Sequence, residues 1–134
     1  MLECTMTCID VSNSFEFVHC WHDAPNEMYY LRSPHRHVFH VYTHIEVLHN
    51  DRELEFIQVK HAIDYFLHNT HFAQESSCED IAHKVAEYLM QQYGDRTMSV
   101  SVYEDDENGA TVFYDNVKAC NDSCALPNIQ YTQF

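Results

Sequence analysis

Between Phe15 and Trp21 (FEFVHCW) every second residue falls on one side of a pleat: Phe15, Phe17, His19 and Trp21. This period of two is the signature of a half-buried β-strand. The connection HDAPNEMYYLRSP follows, then a longer alternation with His37, Phe39, Val41, Thr43, Ile45 and Val47 on one face and Val38, His40, Tyr42, His44 and Glu46 on the other. HNDRE ends this second strand. The period then changes. From Phe56 to about His68, apolar residues recur at Val59, Ala62, Ile63, Phe66 and Leu67, the spacing of a helix with one buried face. A second helix is marked by Ser77 with Asp80 three residues on, by the stripe Ile81, Ala82, Val85, Ala86 and Leu89, and by Gly94 as its stop. TMSVSVYE places Met98, Val100 and Val102 on one face, and Asn108-Gly109 is a hairpin signal leading into ATVFY.

The predicted order is β-β-α-α-β-β. This is an α+β domain, a four-stranded antiparallel sheet with two helices covering one face. It occupies residues 1–115; the tail, 116–134, has no clear period.

Composition narrows the function. The chain has 134 residues, 46% of them hydrophobic and 21% charged, enough to bury one core and not the profile of disorder. With 2 glycines and no Walker or dinucleotide fingerprint, a Gly-rich phosphate cradle is excluded. A formal net charge of −14 opposes binding to nucleic acid or anionic lipid, which depends on Lys and Arg. There is no long apolar run and no basic-then-apolar leader at MLECTMTCID, so a cytoplasmic protein is expected. In that compartment the cysteines, including the spaced pairs Cys4/Cys8 and Cys120/Cys124, read as free thiols, with a terminal metal clasp or disulfide as the alternative.

The stretch SPHRHVFHVYTHIEV carries the candidate chemistry. His35 and His37 are two apart on a strand, so they project into one volume, and His19 joins them if the first two strands pair suitably. Three imidazoles with an open position suit a catalytic zinc ion; the alternative is a polar, exposed strand face without metal. His40 and His44 belong to the other face and cannot join the same site without a bulge. Glu104 continues the face of Met98, Val100 and Val102. A carboxylate there needs a partner, either a ligand's N–H groups or solvent at the strand end.

In order and spacing, FEFVH, PHRHVFHV, ELEFIQVK, SSCEDIA and VSVYEDDENGA resemble the signature blocks of the 6-pyruvoyl tetrahydropterin synthase and 6-carboxytetrahydropterin synthase superfamily. The resemblance spans roughly Phe15 to Tyr114. It implies the tunnelling (T) fold, in which subunits join their sheets into a barrel, a hexamer-type homo-oligomer with sites between neighbours. It also implies Zn2+ held by His19, His35 and His37. Glu104 would hold the pterin ring, with Ser77 and Glu79 from the block that opens the second helix.

The chain departs from the family pattern as well. Arg36 replaces the glycine of HGH, and no cysteine lies between Cys20 and His35; the expected offset falls on Tyr30. Cys20 follows His19 but on alternation points the other way. The Asp-His pair before the second helix meets only HNTHF, which makes His71 the preferred base, oriented by Asn69 or Asp64, with Tyr30 the weaker choice. Arg32, Arg36 and Lys60 are the cations available to an anionic substrate. The implied function is a zinc-dependent lyase resembling 6-carboxytetrahydropterin synthase, acting on dihydroneopterin triphosphate toward 7-deazaguanine and queuosine. The alternative is a T-fold protein that binds zinc and a pterin- or purine-like ligand without turnover.

Overall fold

A computed structural model of the protein describes residues 1–117; Cys120, Cys124 and nearly all of the C-terminal tail lie outside it. The observed elements are β1 (Thr7–His19), β2 (His35–Val47), α1 (Phe56–Asn69), α2 (Cys78–Tyr93), β3 (Met98–Glu104) and β4 (Asn108–Tyr114), in the expected order. All neighbouring strands are antiparallel, in the order β1-β2-β3-β4.

The helices cover one face. α1 packs over β1, and α2 packs over β3 and β4. Inward side chains of all four strands, among them Phe15, Phe39, Val41, Ile45, Val100 and Val102, meet Val59, Ile63, Ile81, Val85 and Leu89 from the helices in one core. α1 begins where the Glu55 side chain accepts the Gln58 amide, and α2 where Ser77 accepts the Asp80 amide. Gly94 ends α2 with a φ of +83°, and its N–H donates to Met90 O at 2.9 Å. Each cap satisfies a backbone group that the helix itself leaves open.

Two sequence expectations change. The first strand begins at Thr7, eight residues earlier than the alternation of aromatics indicates, and ends at His19. Its first half is obscured by polar residues on both faces. Asn13 points into the core, where its Nδ2 donates to Lys60 O at 3.0 Å and Asp64 Oδ1 at 2.6 Å. Those bonds make a buried amide tolerable. The hairpin turn also moves. It is formed by Asp105 and Asp106, at φ +52° and +59°, with Glu107 N–H closing onto Glu104 O at 3.0 Å. Aspartate enters this left-handed region more readily than most residues. Asn108 and Gly109 are already in β4, opposite Glu104 and Tyr103. Gly109 is there for space: a Cβ would come within 2.0 Å of Val102 O.

Candidate metal centre

The site sits at one end of the sheet, where the strand register brings together residues far apart in sequence. His19 on β1 pairs directly with His35 on β2, Phe17 pairs with His37, and Phe39 pairs with Glu104 on β3. With inward faces in phase, His19, His35, His37 and Glu104 project from the same side of the sheet. The imidazole centroids are 4.6 Å apart for His19–His35, 5.3 Å for His19–His37 and 5.0 Å for His35–His37. One nitrogen from each ring lies within 4.8 Å of the others, close enough to share a cation.

Each ring is anchored through Nδ1. His19 Nδ1 is 3.3 Å from Ser76 O, His35 Nδ1 is 2.8 Å from Ser33 O, and His37 Nδ1 is 2.6 Å from Asp105 Oδ2. Carbonyl and carboxylate oxygens only accept, so each Nδ1 carries the proton, which in a neutral ring leaves the Nε2 lone pair free for a cation. Among the described residues, buried His19 Nε2 has no hydrogen-bond partner, although Glu104 Oε1 stands 3.4 Å away. Burial pushes His19 below the ordinary imidazole range, against the opposing effects of Ser76 and Glu104, which favours the neutral, ligating form. Glu104 Oε2 is likewise 3.4 Å from His37 Nε2. The three imidazoles and the carboxylate surround a position that could hold a cation. The donor set fits zinc.

Asp105 had no place in the sequence reading. Besides anchoring His37, its Oδ1 accepts the Val38 amide at 3.0 Å, and its own N–H donates to Val38 O at 2.7 Å. The His37 bond, then the Val38 bond, hold its carboxyl below the usual carboxylate range. A turn residue that orients a histidine from outside the ligand set leaves no period or spacing to read.

Beside the histidines opens a cleft of about 480 Å³, lined by His19, His35, Glu104, Ser77, Glu79 and Cys20 among others. That is the size of a small-molecule site. Ser77 Oγ is occupied by capping α2. Cys78 Sγ donates weakly to Glu104 Oε1 at 3.9 Å; burial, and then Glu104, push the thiol up to about 12, so it stays protonated. Cys20 is not turned away as alternation suggested. β1 has ended at His19, the Cys20 N–H donates to Gln74 O at 2.9 Å, and the buried thiol lines the cleft.

His71, Asn69, Tyr30 and Arg36 are not among the residues that line it. His71 is exposed in the connection between the helices. Asn69 closes its own helix, Nδ2 to Tyr65 O at 2.8 Å, and Asp64 is taken up by Asn13. Tyr30 is exposed within a 3-10 segment (Asn26–Arg32) and stacks edge-on with Tyr29. Arg36 lies on the other sheet face, 3.5 Å from Glu16. Arg32 donates to Ala24 O and Asn26 Oδ1, and Lys60 to Ser12 O. His40 and His44 also lie on that other face, where His44 pairs with Asp10.

No family model and no curated protein matches this chain. No helix among the described residues is long and apolar enough to cross a membrane.

Proposed function

We propose that the protein is a zinc-binding T-fold member that processes a pterin: a carbon–oxygen lyase of the 6-carboxytetrahydropterin synthase type, with dihydroneopterin triphosphate as substrate. The observation that carries the reading is the set of three histidines, each anchored through Nδ1, converging beside Glu104, with His19, His35 and Glu104 lining a ligand-sized cleft.

His19, His35 and His37 hold the zinc, which when bound supplies Lewis-acid polarisation of the substrate's side-chain hydroxyls. Glu104 accepts hydrogen bonds from the pterin's amino and ring N–H groups, and Ser77 and Glu79 border the ring. In this reading β1 and β4, the two edges of the sheet, pair with neighbouring copies in a closed barrel, which removes exposed edges. His71, Asn69 and Tyr30 then reach the reacting carbons from a neighbouring subunit, His71 moving protons as the triphosphate leaves.

A second reading follows from one specific observation: in the single chain none of those three candidate bases borders the cleft. It is a T-fold protein that binds zinc and a pterin- or purine-like ligand without turnover. Zinc-loaded protein incubated with dihydroneopterin triphosphate decides between them. The lyase reading expects new pterin products and released triphosphate; tight binding without either leaves only the second. Retention of full zinc in a folded His35→Ala/His37→Ala variant would remove both.

A further inference from the structure

A second cluster of ligating groups lies next to the first and is not used by it. Cys20 Sγ is 3.3 Å from His22 Nε2, and the other ring nitrogen of the same imidazole, Nδ1, is 2.7 Å from Glu75 Oε1. That carboxylate oxygen also accepts the His22 backbone N–H at 3.1 Å. One ligand atom from each of Cys20, His22 and Glu75 lies within 4.8 Å of the others. The thiol is buried at 3% exposure, while His22 and Glu75 are open to solvent.

We propose that Cys20 and His22 hold a second cation, a borderline-soft divalent ion of the zinc type, through Sγ and Nε2, with Glu75 on the opposite ring nitrogen orienting the imidazole. The separations favour it. Bonds of about 2.0 Å to nitrogen and about 2.3 Å to sulfur at tetrahedral angles put the two ligand atoms roughly 3.5 Å apart, close to the separation observed between Sγ and Nε2. Thiolate and imidazole together select zinc-like ions over magnesium or calcium, and a carboxylate on the far nitrogen fixes the tautomer that leaves Nε2 free to ligate. Binding replaces the thiol S–H by a sulfur–metal bond and releases the proton to solvent. Glu75 is already oriented toward the imidazole from the loop preceding α2, and that loop is fastened to the end of β1 by the Cys20 N–H to Gln74 O bond. The buried side of the site is thus preassembled and the exposed side leaves an entry path. Because Cys20 follows His19 directly and lines the same cleft, the second ion would stand on the wall of the cleft beside the three-histidine centre. The inference does not depend on the pterin reading, because it uses none of that reading's ligands.

Cobalt(II) added to the metal-free full-length chain under reducing, anaerobic conditions separates the two centres. A thiolate ligand gives an intense near-ultraviolet charge-transfer band, whereas the three-histidine site gives only weaker visible bands. The expected result is two cobalt equivalents per chain, one of them carrying the thiolate band. Cys20→Ser should remove that band and one equivalent. His22→Asn and Glu75→Gln, both at exposed positions that leave the fold intact, should weaken band formation about 10–100-fold. His35→Ala/His37→Ala should keep the band and lose the other equivalent, so failure of either centre shows separately. Absence of the band in the parent protein, or its survival in Cys20→Ser through another cysteine, overturns the proposal.

Discussion

The Asp105 carboxylate accepts the Nδ1 proton of His37 at 2.6 Å. Through that bond a hairpin-turn residue sets the tautomer and ring plane of a histidine on the neighbouring strand. Outer-shell partners of this kind typically account for about 10–100-fold in metal affinity. Asp105→Asn, which still tolerates a positive φ, should therefore weaken zinc binding by about 10–100-fold without unfolding the chain. Competition with a chromophoric chelator reads the change. Asp106→Asn is the control, because Asp106 holds the Tyr42 hydroxyl at 2.7 Å on the other face and should leave affinity unaltered. Equal affinity in the Asp105 variant and the parent would remove Asp105 from the site.

At the opposite end of the sheet, Arg96 grips Glu53 through two bonds of 2.5 and 2.7 Å. The Arg96 bond first, and the Leu48 amide second, hold the Glu53 carboxyl at about 2, below its ordinary value of 4.5. A depressed folded-state value means the stabilisation is fully present above the ordinary carboxylate value and is lost as pH falls through the folded one. The Tm difference between the parent and Glu53→Gln should be constant above about pH 4.5 and close toward pH 2. A difference that does not vary over this window would contradict the assignment.

Gly109 and Gly94 do different work. At Gly109 a Cβ would meet Val102 O at 2.0 Å and Tyr103 Cα at 2.7 Å, both backbone atoms that cannot swing aside. Gly109→Ala should cost about 1–3 kcal/mol, as overpacking does. At Gly94 there is open space, but φ is +83°. Gly94→Ala should cost about 1–2 kcal/mol from left-handed strain alone. Urea midpoints of the two variants test this, and a neutral Gly109→Ala would mean that the strand pair relaxes.

Thr43 is fully buried on the core face, and its hydroxyl has no hydrogen-bond partner among the described residues. Exchanging the hydroxyl for a methyl group of similar shape removes an unsatisfied buried group. Thr43→Val should stabilise the domain by about 1–2 kcal/mol. A loss of stability in urea denaturation would reveal a partner for that oxygen.

Element order, the core faces of both helices and the helix caps were legible from periodicity and capping chemistry, because these depend on residues three or four apart. The parity that separates His35 and His37 from His40 and His44 was legible for the same reason. The start of β1 was not. Asn13 is inward and polar, and what allows it there is Asp64 and the Lys60 carbonyl, 51 and 47 residues away. Nor was the turn, since Asn108-Gly109 is the stronger local signal and loses to Asp105-Asp106 through strand register and the close approach of Val102.

By itself, then, the sequence determined which side chains share a face, because a strand repeats every two residues and a helix every 3.6. Only the tertiary structure decided which faces meet. The register of β1 on β2 sets His19 against His35, the turn after β3 delivers Asp105 to His37, and the loop before α2 brings Glu75 to His22. These partners are 16 to 68 residues apart. Contacts at such separations are selected by the packing of the whole chain, and no local pattern records them.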